Sequence, residues 1–513
     1  MVAAPISKIA ILGGGTAGWM TAAALARFFG PTTKITLVES DEIATVGVGE
    51  ATIQPLRQFH SMLEIDENTF MKAAGATFKL GIRYYNWFRK GHTYFHPFGN
   101  YGLGNELATF PQTWIMLNLH GLIDGEGKDY LDSFSLCTLA AQSNRVTAGL
   151  SSPHLAFMRN QSAYHFDAGR YAAMMRAYAC GRGVKRIEGQ MVDAVRNAQS
   201  GHVEAFTLKS GERVEAELFI DCSGMRALLI EGACEVPYID WNRWLPMNRA
   251  CVMPTTHDGM RQPYTTSTAT EGGWQWRIPI QERISNGHVF SNDHISESRA
   301  EEILFEVSPG TPMADPRIIK FRAGRRQRLW DKNVVAVGLS SGFIEPLEST
   351  SIYMIQATIN RLLTHMPDAA LSPINRDVFN RRITDEFDHI RDFIIMHYHL
   401  TEREDSSLWR QVKHMEIPDE LRLRIELFRD RGMIMNYPDE MFGPTSWLAI
   451  MMGQGVRPRS YSPMLNNLDR NAQVKNFKMM QAEIQTALAT LPSQDKYLND
   501  RGLVSDRMAV PQA

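Results

Sequence analysis

The stretch that decides the fold is Lys8-Ile9-Ala10-Ile11-Leu12-Gly13-Gly14-Gly15-Thr16-Ala17-Gly18. Residues 8–12 form an apolar run of buried-strand length, and Trp19 to Phe29 is rich in Ala and Leu with no breaker. The predicted order is therefore strand, tight turn, helix. Gly13-x-Gly15-x-x-Gly18 at that junction is the dinucleotide fingerprint: its glycines let the backbone approach a pyrophosphate, which rests on the positive N-terminus of the following helix. A second predicted strand, Lys34 to Glu39, ends in an acid about 20 residues on, where Glu39 can accept from ribose hydroxyls. Strand, helix and acid together outweigh the bland alternative of a glycine-rich turn with no ligand.

Further along the chain, VGVGEATIQPL reads as an irregular loop, from about Ile43, that runs into a helix by Gln58. Residues from about Phe78 to Pro111 hold many aromatics among glycines and read as a layer or loop region outside the nucleotide fold. Phe166 to Cys180 is a helix that Asp167 can cap. Gly183 to Val195 and Val203 to Leu208 read as strands. Two later segments repeat the strand-to-turn pattern: Leu218 to Gly224, ending in Asp-Cys-Ser-Gly, and Val334 to Phe343. A probable helix starts at Ile352. Phe379, Ile383, Phe387, Ile390 and Ile394 then recur at helical spacing, so the C-terminal third is predicted to be mostly helical. The last dozen or so residues read as disordered.

Asp221 to Gly224 and Val334 to Phe343 resemble the second and third flavin-contacting pieces of FAD-dependent monooxygenases, and nucleotide strands that recur as far as Val337 fit that architecture better than a contiguous NAD domain. The expected class is α/β, a Rossmann-like FAD-binding fold of the flavin monooxygenase type, with a mixed substrate region and a largely helical C-terminal part. Residues 1–370 are expected to form the FAD module, with nucleotide segments at about 1–85, 160–230 and 315–370 and substrate-side insertions at about 86–159 and 231–314. Residues 371–513 are expected to form a helical substrate-binding region.

Composition narrows the function. A chain of 513 residues is long enough for a sizeable core, and 54 basic against 56 acidic residues, a net charge of −2, offer no basic run for nucleic acid. Five scattered cysteines without C-x-x-C suggest neither a disulfide framework nor a zinc site, and point to a reducing, cytoplasmic setting. No metal site is expected, since His397 and His399 lie two apart and point to different sides of a helix. No apolar run reaches the length of a membrane span, and the short run at Ile9 to Leu12 lacks the layout of a signal peptide, so a soluble protein is expected. The 24 Phe, 15 Tyr and 10 Trp suit sites for flat apolar groups, although aromatics also fill cores.

Gly272-Gly273-Trp274-Gln275-Trp276-Arg277-Ile278-Pro279 contains W-x-W-x-I-P, and here the chain resembles the flavin-dependent halogenases, the family of the tryptophan halogenases. Alternating Trp with a Pro exit also suits a plain buried strand. The resemblance runs from Gly13 to about Gly455. It implies that reduced FAD, O2 and a halide, bromide or chloride, give hypohalous acid that halogenates an electron-rich arene. It also implies a separate flavin reductase and a possible homodimer. Flavin contacts are implied at Gly13, Gly15, Thr16, Ala17, Gly18, Glu39, Val192, Gly338, Leu339 and Ile352, and Trp274 and Trp276 are implied as a barrier between flavin and substrate.

Lys79 sits where the family has its essential lysine, although most lysines beside apolar neighbours only snorkel to solvent. Glu348 matches the catalytic glutamate, with Glu345 ranked second; a carboxylate at a helix start would equally complement the dipole. Thr350 and Ser351 occupy the halide-binding place, where the family usually has Thr-Gly, and the Ser suggests a preference for bromide. His96 and Phe98 resemble the substrate cradle, with Phe442 a weaker candidate for its wall. The segment Asn436 to Pro444 reads as shorter than the loop by which tryptophan-specific members grip the amino acid, and no Trp adjoins Phe442, which favours a less decorated indole. Two rivals stay open: an aromatic hydroxylase of the same fold, and a flavin-binding protein without turnover.

Overall fold

A computed structural model describes residues 4–30, 32–42, 49–102, 104, 108–123, 131–150, 161–437 and 440–504. The chain divides into two compact units, Met1–Ala76 with Phe166–Pro246 and Lys320–Asp388, and Thr77–His165 with Met247–Ile319 and His389–Ala513. Both differ from the expected division. In place of the expected break at residue 370, the boundary falls between Asp388 and His389, within helix Pro373–His399. The expected insertion 86–159 and, from Met247 on, the expected insertion 231–314 belong to the same unit as residues His389–Ala513, while residues 231–246 stay with the first unit.

The first unit is built on the decisive stretch. Strand Lys8–Leu12 is the middle of a six-stranded sheet with spatial order 330–331, 334–336, 218–221, 8–12, 34–39, 185–188. Its neighbours 218–221 and 34–39 both pair with it in parallel, Ile9 opposite Leu218 and Ile35. A strand flanked on both sides in a parallel sheet is buried on both faces, which is why it reads as continuous Ile, Ala and Leu rather than an alternation. Helix Thr16–Phe29 buries every residue from Gly18 to Ala26 and packs on helices Ala168–Cys180 and Ser351–Thr364. Asp167 caps the former, its side chain accepting from the Arg170 N–H, as expected. The predicted 183–195 strand breaks at Gly189 into Lys185–Glu188 and Met191–Arg196, which belong to different sheets.

The second unit carries a largely antiparallel sheet in which 249–255, 284–290, 273–279, 265–269, 81–85 and 93–97 lie side by side. The aromatic-rich segment expected as a layer or loop is therefore strand, Gly81–Tyr85 paired antiparallel with Thr93–Pro97. A separate pair sets Thr77–Lys79 against 163–165, with Lys79 opposite Ala163. Helices follow, among them Ser407–His414, Asp419–Arg431, Pro444–Gly453 and Arg470–Thr490. The five apolar residues that predicted the long helix, from Phe379 to Ile394, are all buried. The loop from Ile43 lies in part, and the tail expected to be disordered lies almost wholly, outside the described residues.

Candidate active site

In the first unit the glycine turn has the geometry of a pyrophosphate cradle. Gly13 has φ +112°, and a Cβ there would run into the carbonyl of Cys222, so only glycine fits. Gly15 is the N-cap of the first helix, and nothing lies within 4 Å of where its Cβ would be. Free space at a helix N-terminus, lined by backbone N–H groups, suits the pyrophosphate of a dinucleotide. Gly338, which begins a tight turn, comes within 2.7 Å of the Ala17 side chain when given a Cβ. The fingerprint and the third strand-turn piece thus meet.

Glu39 ends its strand as expected, and its carboxylate accepts from Trp19 Nε1 at 3.1 Å and Arg186 Nε at 2.5 Å, with Arg176 at 3.4 Å. Two carboxylate oxygens retain acceptor capacity for a ribose hydroxyl. Val192 is 62% exposed on its strand, and Leu339 36% exposed in its turn, both available to a ligand. Asp221, fully buried, spends its carboxylate within the fold, accepting from the N–H groups of Ser223, Leu229 and Ile230. Its carbonyl receives the Val337 N–H at 2.9 Å, which ties the second strand-turn piece to the third.

Glu345 and Glu348 are both fully buried. Glu348 closes a single turn, Pro346–Glu348, and Ser349 at φ +61° separates that turn from the next helix. Glu348 therefore precedes the N-cap Thr350 by two residues and lies outside the first turn of the helix. Thr350 is the N-cap and Ser351 the first residue of helix Ser351–Thr364, with no side-chain cap. The Ile352 side chain is buried. The first N–H groups of this helix have no intrahelical acceptor, which is the arrangement that holds small anions.

The second unit gathers the arene-site candidates. Lys79 is fully buried, and its Nζ lies 5.1 Å from the centre of the Phe98 ring. Strand pairing produces this contact: Gly81 faces Pro97, and the Phe98 N–H donates to the Leu80 carbonyl at 2.8 Å. Beside Lys79, buried His165 bonds Thr265 Oγ1 at 2.9 Å and Thr77 Oγ1 at 3.4 Å. Burial, and then the Lys79 ammonium, hold His165 well below its ordinary pKa, so it stays neutral. Thr77 Oγ1 also donates to the Pro279 carbonyl at 2.7 Å, joining the lysine strand to the end of W-x-W-x-I-P.

Trp274 and Trp276 lie on strand Gly273–Pro279, both buried, with ring centres 6.2 Å apart. His96 and Phe442 are 6.3 Å apart, and Phe393, which the sequence did not single out, stacks on Phe442 at 3.8 Å and sits 5.9 Å from His96. Trp447 was missed too: it meets Phe393 edge-on at 5.0 Å and donates Nε1–H to the Phe442 carbonyl at 3.1 Å. No Trp adjoins Phe442 in the sequence, and Trp447 supports it from the following helix. Part of the 436–444 loop, Pro438 and Asp439, lies outside the described residues.

A glycine turn shaped like a pyrophosphate cradle in one unit, and a buried lysine over the Phe98 ring in the other, are the features expected of a dinucleotide-dependent enzyme that acts on an arene. The family model for tryptophan halogenase matches residues 8–470. A flavin-dependent halogenase from Xanthomonas campestris is 40% identical, with a TM-score of 0.93 over 99% of this chain and 100% of that one. The flavin-dependent halogenase BrvH from Brevundimonas sp. BAL3 is 40% identical, with a TM-score of 0.90 over 97% and 99%. The 7-chloro-L-tryptophan 6-halogenase KtzR from Kutzneria sp. (strain 744) is 36% identical over 95% of this chain and 98% of its own. The chain belongs to the tryptophan halogenase family and is a flavin-dependent halogenase, an oxidoreductase.

Proposed function

We propose that the enzyme halogenates indole or a lightly substituted indole, and that the site residues take the following roles. The observation that carries the substrate reading is the wall of Phe393, Phe442, Trp447 and His96. It is aromatic throughout, while the charged pair beside it, Arg424 and Glu440, is spent on itself. Such a wall recognises a ring better than a zwitterion. The tryptophan 6-halogenase and 7-halogenase activities named for several relatives concern a ring of the same kind.

Bound reduced FAD, supplied by a separate flavin reductase, delivers with O2 the two-electron oxidation that turns halide into hypohalous acid. The N–H groups around Gly13, Gly15, Thr16, Ala17 and Gly18 hold the pyrophosphate and Glu39 the ribose, while Val192, Gly338, Leu339 and Ile352 contact the rest of the cofactor. Thr350 and Ser351 hold the halide by their backbone N–H groups, and the Ser351 hydroxymethyl biases the pocket toward bromide. Trp274 and Trp276 keep the arene away from the flavin. The Lys79 ammonium donates to the oxygen of hypohalous acid and polarises its bond to halogen. A ring carbon held by Phe98, His96 and Phe442 takes the halogen, the O–X bond breaks, Glu348 removes the ring proton, and hydroxide leaves as water. The enzyme works in the cytoplasm, as a homodimer; no helix among the described residues is long and apolar enough to cross a membrane.

The test supplies FAD, a reductase, NADH and either bromide or chloride, and screens indole and tryptophan by mass spectrometry for halogen isotope patterns. Halogenated indole from the wild type, none from Lys79→Ala with FAD still bound, and excess bromide product in halide competition are the expected results. Near-normal turnover by Lys79→Ala, or an oxygenated product formed without halide, overturns the mechanism.

A further inference from the structure

The second unit holds a cavity of about 530 Å³ that the arene site does not use, within the size range of small-molecule sites. Its walls include Tyr94, Phe95, Tyr101 and Trp114, all buried, with Asp132 and Arg457 as the charged members. Trp114 is 3% exposed, and its indole Nε1 is buried with no hydrogen-bond partner among the described residues. A buried N–H left without an acceptor is destabilising, and an acceptor atom on a bound molecule would relieve it.

Arg457 also borders a second depression of about 460 Å³, lined by Phe88, Arg89, Lys90 and His92. The two cavities therefore share a guanidinium: one side of it is aromatic and the other is basic. Arg457 Nη1 rests against the Met452 carbonyl at 2.8 Å, which leaves most of its five donors for other partners. The carboxylates nearby have attachments of their own. Asp405 pairs with Lys90 and Arg403 at 3.0 and 2.8 Å, and Asp132 lies near Tyr101 and is approached by Gln142 Nε2 at 3.5 Å.

We propose that this cavity is a second ligand site, which takes an aromatic carboxylate with its ring between Tyr94, Tyr101 and Trp114 and its carboxylate on Arg457. The ring occupies the aromatic chamber, an acceptor atom of the ligand meets the Trp114 N–H, and Arg89 and Lys90 raise the local concentration of anions at the mouth. A planar acid matches this pairing of surfaces, whereas a neutral arene leaves the Arg457 side unused. The site stands apart from the halogenation reading, since none of its six residues has a role there.

The test is equilibrium dialysis of the FAD-loaded enzyme with indole-3-acetate as probe and excess indole as competitor for the arene site. The wild type is expected to retain one equivalent of indole-3-acetate that indole does not displace. Arg457→Gln should weaken that equivalent about tenfold or more, the loss of a charge-assisted contact, and Trp114→Phe should weaken it severalfold while keeping the ring. Both variants should halogenate at the wild-type rate. Arg457 lies on the surface, so its replacement leaves folding intact and the binding readout stays usable. Complete displacement by indole, or unchanged binding in both variants, overturns the proposal.

Discussion

Replacing Glu440 by Gln should destabilise the enzyme and loosen its arene wall by an amount the structure sets. The side chains of Glu440 and Arg424 are 2% and 3% exposed, joined by two contacts, Arg424 Nη1 to Glu440 Oε2 at 2.9 Å and a second from Nη2 to Oε1. Removing one member of a buried pair leaves the other charge uncompensated, which costs roughly 3–5 kcal/mol. Part of that is recovered here, because Arg424 Nε is 3.6 Å from Glu420, a carboxylate 39% exposed and worth at most about 1 kcal/mol. The expected loss is therefore about 3 kcal/mol, or roughly 6–12 °C in Tm for a unit of this size.

The partner should matter more than the charge. Arg424→Met with Glu440→Leu removes both ions, and the double variant should unfold within a few degrees of the wild type, apart from the loss of Arg424 stacking 4.7 Å from the Trp447 ring. Glu440 also accepts from the Tyr437 N–H at 3.3 Å and stands two residues from Phe442, so Glu440→Gln should raise KM for indole severalfold with kcat little changed. Thermal unfolding and steady-state kinetics on the two variants beside the wild type decide the matter. A shift below 2 °C for Glu440→Gln, or a double variant no more stable than the single, refutes the argument.

Two glycine variants separate fold from ligand. Gly13→Ala meets both a left-handed φ and the Cys222 carbonyl, and should lower Tm by several degrees; Gly15→Ala has an ordinary φ of −72° and open space, and should leave Tm alone while weakening FAD binding about tenfold, read by flavin fluorescence. Glu348→Gln should cut turnover by about 10²–10⁴ with halide and FAD binding unchanged, followed by single-turnover kinetics. Acid should unfold the protein early, because burial holds His60 near pKa 3, His288 near 4 and His165 well below its ordinary value. The unfolded chain takes up these protons near pH 6.5 and the native state does not, so stability present above pH 6.5 is lost as pH falls. The slope should be about 1.4 kcal/mol per pH unit for each histidine, measured by urea unfolding between pH 7 and 5.

The nucleotide half was legible because its information is local. Strands 8–12 and 34–39 fall at their predicted bounds and 218–221 lies inside its predicted strand-to-turn segment, since buried parallel strands read as apolar runs, and glycines carry the cradle's shape in the backbone itself. The arene wall was only partly legible because it is assembled from side chains far apart in the chain. Trp447 reaches Phe442 through a hydrogen bond across the turn that opens helix Pro444–Gly453, which no periodicity announces. Phe393 escaped for another reason. Around it the long helix is buried on every side, with Ile394, Ile395, Met396, His397 and Tyr398 all inside, so a rule that looks for one apolar face selects its neighbours and passes it over. The same contrast separates the two functions. On the proposed roles, a cofactor held by backbone N–H groups tolerates side-chain change around it, whereas an arene pocket walled by residues 96, 98, 393, 442 and 447 changes with each substitution there. Variants at Phe393 and Trp447 should therefore redirect which ring carbon is halogenated without altering FAD affinity, and product regiochemistry by NMR beside flavin titration tests that separation.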